Sequence, residues 1–478
     1  MSRRFVRALF VCVLAALGPM TATAAAGYPD QHDAQRISLT EAGKVATSLA
    51  SGSLPSPSFA CEDGMAGPYP CENVDMASSV PLPTLGGATG NDIWGWTDPE
   101  TGREYALMGT STSTGFVDVT DAANPELIGI LPTRGIPDYV LWRDMKVDGN
   151  FAFIVSEING SGLQVFDLTR LRDAGGSTPT VFSSDATYDE FSFAHNISIN
   201  EATDTAYVVG SDACTANEEY GGLHMVDISD PLAPEFAGCA TVDSFASESE
   251  PNNYAHDVEC VIYQGPDRDY QGREICFGSN ENVVAIYDVT DRDNPRVISE
   301  VTYPTAAYTH QGALTEDQRW FLFNDEGDEQ THGVNTTTYI LDASDLDNLP
   351  EPKAYAHDSA TIDHNMYVHG NRVLQSNYNE GLRILEFDDA SLAAGEFEEV
   401  GYFDVLPGVD VAEFAGTWSN YRFPGSGNVV VSTLENHVSG LFVLTPTLPE
   451  PEPDAGSAAP GKSGGTAADG KRRGGPKG

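Results

Sequence analysis

The chain has 478 residues and a formal net charge of −46, with 71 acidic side chains against 25 basic ones. Eight of the basic residues lie in the first 7 residues or beyond position 461, so the body between is more acidic still, which excludes binding nucleic acid or an anionic membrane through that body. Hydropathy leaves no apolar run after the leader long enough to span a bilayer.

Taken in order, residues 1–26 read as a removable signal peptide: Arg3, Arg4 and Arg7, an apolar stretch over 8–17, then small residues at 22–26. The protein is therefore expected to be exported, to the periplasm, the cell surface or the medium. Residues 27–73 form an N-terminal segment with a short helix expected near 35–51 and a Gly/Pro-rich loop between Cys61 and Cys71. The mature chain keeps six cysteines in three neighbouring pairs, Cys61/Cys71, Cys214/Cys239 and Cys260/Cys276. An even count in an exported chain favours disulfides, and pairing within each neighbouring couple is the expectation among the possible connectivities.

From residue 74 a short phrase repeats. Its closing half appears as FVDVTD (116–121), LQVFDLT (163–169), LHMVDISD (223–230), VAIYDVTD (284–291), TYILDASD (338–345), LRILEFDD (382–389) and a truncated LFVLTP (441–446). Its opening half is a polar pair in apolar sequence: Asn91-Asp92, Arg143-Asp144, His195-Asn196, His256-Asp257, His310-Gln311, His364-Asn365 and Ser419-Asn420. Intervals of 52 to 61 residues, each holding several short strands, predict an all-β, seven-bladed β-propeller over 74–446. The last repeat stops after its third strand, and a bare sheet edge there would be a liability. Residues 74–83, which resemble the outer strand of the first repeat, are expected to close that blade from the N-terminal side. Residues 447–478, rich in Pro and Glu and then Gly, Ser, Ala and Lys, lack the apolar content to fold and read as a disordered tail.

The runs LHMVDISD, FVDVTDAANP and VAIYDVTDRDNP resemble LVIVD repeats. Together with the leader, the Cys61/Cys71 element, WGWTD (94–98), the His-Asn and His-Asp openings and WSNY (418–421), the chain over roughly 60–446 resembles the choice-of-anchor B family. That resemblance implies an exported bacterial β-propeller. The tail departs from the anchored type in having no hydrophobic span, and the family brings no reaction to transfer.

In a propeller the first strand of each blade lines the channel. This places His195, His256, His310 and His364 on one ring from four consecutive blades, with Asp92, Arg143, Asp144 and Trp418 across from them. Imidazoles with a nearby carboxylate suit a divalent transition metal, so His195, His256, His310 and His364 are the candidate ligands, with Asp144 and Asp257 expected to orient them. Repetition alone also predicts such a ring, because a duplicated blade copies its histidine; in that reading each imidazole donates to a carbonyl of the next blade. A second series of acids follows the second strands: Glu157, Asp212, Glu281, Asp325 with Glu326, Glu380 and Glu435. The densest loop, with Asp325, Glu326 and Asp328, is a candidate calcium site through oxygen ligands, although it lacks EF-hand spacing. Trp94, Trp96 and Trp142 could line a ligand groove or pack between blades.

Two functions follow. One is a monomeric binding or scaffolding propeller that contacts a protein, glycan or small-molecule ligand through its loops. The other is a metal-dependent hydrolase or oxidoreductase working at the channel histidines. The histidine ring speaks for the enzyme, and the lack of a nucleophile or cofactor motif speaks for the binder.

Overall fold

The computed structural model describes residues 57–87, 89–135, 142–176, 178–214, 221–241, 254–434 and 439–450. The expected signal peptide, the helix near 35–51, Glu435 and the tail from 451 onward fall outside the described residues. Seven antiparallel sheets account for the repeat. The fourth blade shows the plan: Asp257–Ile262, Glu274–Asn280, Val283–Asp288 and Arg296–Val301 pair in sequence order, from channel to rim.

The repeated phrase has a physical reading. The second and third strands of each blade are covered on both faces by neighbouring blades, so they carry continuous apolar runs instead of an alternation; Glu104–Thr110 and Val283–Asp288 are buried along their whole length. The fourth strands, at the rim, are more exposed than the second and third, as in Arg296–Val301, although the closing strand Val74–Pro81 is largely buried. The Asp that ends five of the third strands turns the chain. Asp118, Asp167, Asp227, Asp288 and Asp342 each accept the backbone N–H of the residue two positions on, at 2.9–3.1 Å. That bond explains the recurring D-x-T or D-x-S.

The seventh blade is closed from the N-terminal side. Val74–Pro81 pairs antiparallel with Gly440–Pro446, completing the sheet begun by Thr417–Arg422 and Val429–Thr433. Val74, Met76 and Val80 are buried by this strand, each stabilising the ring by roughly 1.5–3 kcal/mol. Val80 and Leu441 join Ile93 and Ala106 of the first blade in one apolar cluster, so the closing strand also ties the last blade to the first.

Two outer additions were not visible in the repeat pattern. Thr180–Val181, inside the second repeat, pairs parallel with Glu126–Pro132 of the first blade, which becomes five-stranded. A hairpin of Met65–Ala66 and Tyr69–Glu72 lies along Glu398–Phe403, the rim strand of the sixth blade, with Cys71 opposite Phe403. Three disulfides join Cys61 to Cys71, Cys214 to Cys239 and Cys260 to Cys276. Cys260 and Cys276 face each other on adjacent antiparallel strands.

Candidate metal centre in the channel

Most of the polar pairs sit where strand pairing is interrupted or begins; Arg143-Asp144 is paired regularly. The ladder skips between Gly90 and Ile93, between Thr309 and Gly312, and between Thr417 and Asn420. In the third and fourth blades it begins only at Asn196 and Asp257. The strict alternation of side chains is suspended there. His256 and Asp257, and likewise His310 and Gln311, both reach the channel, one layer apart.

The upper layer is a row of rings. Centroids of His195 and His256 are 4.4 Å apart, His256 and His310 4.3 Å, and His310 and His364 4.3 Å. Trp418 continues the row 4.3 Å from His364, and Trp142 stacks on Trp418 at 4.4 Å. Arg143, at the equivalent position of the second blade, leaves the row. Its guanidinium donates to the carbonyl of Thr110 at 2.7 Å and to the Thr133 hydroxyl, tying the first two blades together.

The orientation of the imidazoles follows from what their Nδ1 atoms meet. Nδ1 of His256 lies 2.9 Å from the carbonyl oxygen of His310, and Nδ1 of His364 meets the carbonyl of Trp418. A carbonyl only accepts, so Nδ1 carries the proton in both and Nε2 keeps its lone pair. This is the next-blade contact that repetition alone would produce. It is also how metal-ligating histidines are commonly held. Nε2 of His364 makes no hydrogen bond and stands 3.5 Å from Oε1 of Glu326; Nε2 of His310 is 3.8 Å from Oε2. His256, His310 and Glu326 offer ligand atoms that all lie within 4.8 Å of one another. His195 is held differently, by Glu157 at 2.5 Å from its Nδ1.

Glu326 is the residue that sequence reasoning misplaced. It was assigned to a calcium loop with Asp325 and Asp328, but the three side chains diverge. Asp325 is saturated by the amides of Ala307, Tyr308 and Gly327 and the Tyr303 hydroxyl. Asp328 accepts from Tyr339, and Glu326 turns to the histidines while accepting from Tyr378. Consecutive residues at a strand end point apart, so three acids in one loop do not converge. The signal was present in the series after the second strands, since Glu157 and Glu326 both belong to it. Asp212 instead caps the Ser192 and Phe193 amides, and Glu380 pairs with Arg383.

Asp144 and Asp257 lie in the lower layer rather than behind the imidazoles. Asp144 takes the amides of Met145 and Ile197 and the ammonium of Lys146 at 2.5 Å; Asp257 takes the Val258 amide and the Asn196 side chain. The expectation that they orient imidazoles is corrected on this point, because the second member of each pair sits one step further along the channel. Below them the channel opens into a cavity of about 650 Å³ lined by Trp94, Lys146, Glu259, Tyr367 and Tyr421. Trp96 packs on Tyr105 and Trp142 on Trp418, so only Trp94 of the three tryptophans lines this cavity.

Burial governs the charges of the upper layer. It pushes Glu326 up to about 8 and His364 down to about 3. Burial and the neighbouring histidines hold His310 well below the usual imidazole range. At His195 burial also opposes the charge, but the Glu157 carboxylate outweighs it and the pKa is raised. His310 and His364 are thus held neutral, beside a carboxyl group that burial keeps protonated to higher pH.

No family model matches the chain, and no curated protein does. Among solved structures, it is similar to the β-propeller domain of Myceliophteria thermophila Cps50 (Swd1), at 12% identity and a TM-score of 0.46, over 75% of this chain and 97% of that one. It is also similar to Kuenenia stuttgartiensis hydrazine synthase, at 12% identity and a TM-score of 0.46, over 73% and 94%. A functionally unknown protein from Desulfotomaculum acetoxidans gives 13% identity and a TM-score of 0.41, over 68% and 87%.

Proposed function

We propose that this chain is an exported binding propeller of the LVIVD-repeat, choice-of-anchor B kind, whose channel holds a divalent transition metal on His256, His310 and Glu326, with His364 beside them. The observation that carries the reading is the Nδ1–carbonyl bond of His256 and His364, which commits the opposite nitrogen to the channel at the edge of Glu326. Two imidazoles and a carboxylate match zinc, copper, iron or nickel better than calcium or magnesium. The three disulfides support export, because such bonds persist in oxidising compartments. The bound ion would brace consecutive blades across the channel and leave the loops free to contact a protein, glycan or small molecule.

Elemental analysis of tag-free protein tests the metal. The expected content is roughly one transition-metal ion per chain, lost in the His256→Ala/His310→Ala double variant while the β-sheet circular dichroism persists. Wild-type protein that takes up no metal when dialysed against zinc, copper, iron or nickel would assign the histidines to blade packing alone.

A further inference from the structure

The loop that delivers Glu326 also buries a second group of acids, on the side away from the histidines. Asp328 and Glu329 begin a short helix and are 0% and 4% exposed; Asp363, which arrives from the start of the sixth repeat just before His364, is 1% exposed. Asp328 accepts the Tyr339 hydroxyl on one oxygen and nothing on the other. Glu329 takes the amide of Asp363 at 3.4 Å on one oxygen and nothing on the other. Neither carboxylate oxygen of Asp363 closes a hydrogen bond, although the Thr337 amide offers partial relief. The largest charge effects on these three come from one another and from Asp325.

An ionised carboxylate taken out of water costs several kcal/mol unless it is paired, so three together demand a cation or protons. Asp363 decides the direction. It belongs to a different blade from the Asp325–Glu329 run, it is wholly buried, its amide meets Glu329, and neither of its carboxylate oxygens closes a hydrogen bond. We propose that Asp328, Glu329 and Asp363 bind a calcium ion between the fifth and sixth blades. Four free carboxylate oxygens and no nitrogen or sulfur make a hard donor set. Calcium tolerates irregular coordination by six to eight oxygens, whereas magnesium requires a near-ideal octahedron. The three carboxylates do not all lie within 4.8 Å of one another, as the channel group does, so the proposal requires them to draw in on the ion. Such an ion would staple the helix Asp328–His332 to the segment leading into His364, and so fix the loop that aims Glu326 into the channel.

The site is independent of the transition metal, and its test keeps the two apart. Full-length protein is stripped with EGTA and titrated with CaCl₂, or with MgCl₂ in a parallel arm, while Tm and calorimetric heats are followed. Calcium is expected to raise Tm by several degrees and to saturate at about one tight site per chain, with magnesium far weaker. Asp363→Asn should abolish the shift and Asp328→Asn should weaken it. Glu326→Gln, which removes the proposed channel ligand, should leave it intact. Wild-type protein indifferent to calcium in both Tm and heat overturns the proposal. So does a shift that survives Asp363→Asn, which would put the ion elsewhere, such as the exposed group Asp267, Asp345 and Asp347. Should Asp363→Asn fail to fold, the wild-type titration and Asp328→Asn decide the matter on the same criteria.

Discussion

At its upper end the channel gathers four imidazoles and Glu326, and two of their polar atoms, Nδ1 of His310 and Nε2 of His364, make no hydrogen bond. One step lower it gathers Asp92, Asp144 and Asp257, and there the chain supplies its own counter-ion: Lys146 lies 2.5 Å from Asp144 and 3.6 Å from Asp92. Both layers come from the same pair of positions in the same repeat. Burial raises Asp92, while Lys146 outweighs burial at Asp144 and holds it down. The lower layer is thus an internally neutralised plug, and the upper layer is the proposed ligand set. Burying polar groups is common to both; what separates them is whether the partner is built in.

Breaking the built-in partner should have the largest effect. Lys146→Met leaves Asp92 and Asp144 without their ammonium and should cost about 3–5 kcal/mol in denaturant unfolding, with the metal content of surviving folded protein unchanged. Combining it with Asp144→Asn should recover part of that loss; a lone Lys146→Met that unfolds like wild type would contradict the plug. At the upper end, Glu326→Gln should instead leave stability within about 1 kcal/mol while weakening zinc uptake at least tenfold, because the carboxyl is already held neutral by burial.

Acidity sharpens the contrast between burial and pairing. Burial pushes Glu259, in the lower cavity, and Asp404 up to about 7. The folded state binds these protons more tightly than the unfolded chain, so their contribution favours folding at low pH and is lost as pH rises from about 4 to about 7. Ion pairs act in the opposite sense. The Arg172 hydrogen bonds hold Asp98 down to about 2, and at Asp288 burial is outweighed by Thr290, Arg296 and Arg273 to the same value. Their contribution is present above about 4 and lost as pH falls toward 2. With EGTA present, Tm should therefore be highest near pH 4–5 and decline toward pH 8, where the −46 charge also repels itself. A Tm that rises steadily to pH 8 would contradict this. The smallest effect is expected at the end of the ring row: Trp418→Leu loses the stack on Trp142, worth about 0.5–1.5 kcal/mol, and leaves zinc binding within twofold.

The features that the sequence displays best are those with a short period. Seven third strands could be counted, and five of them end in an Asp that makes the same local turn. The closing strand could be inferred from the missing fourth strand of the last repeat, and Cys260 with Cys276 from their places on adjacent strands. The channel was harder to read. The channel side chains come in two layers, and Asp144 and Asp257 fall one layer below the imidazoles. Arg143 occupies a ring position yet bonds to Thr110, since its reach exceeds that of an imidazole. Glu326 has the composition of a solvated loop, and only the turn after its strand sends it inward. Asp363 carried no pattern at all: its significance lies in buried carboxylate oxygens that close no hydrogen bond, which no one-dimensional reading contains.

The central claim is that the upper layer, and not the lower, is the transition-metal site. An anomalous difference map from crystals of the full-length protein grown with ZnCl₂ tests it most directly. The account requires a zinc peak about 2.0–2.2 Å from a nitrogen of His256, a nitrogen of His310 and an oxygen of Glu326. A channel without a peak, or a peak held by Asp92 and Asp144 in place of Lys146, would contradict it.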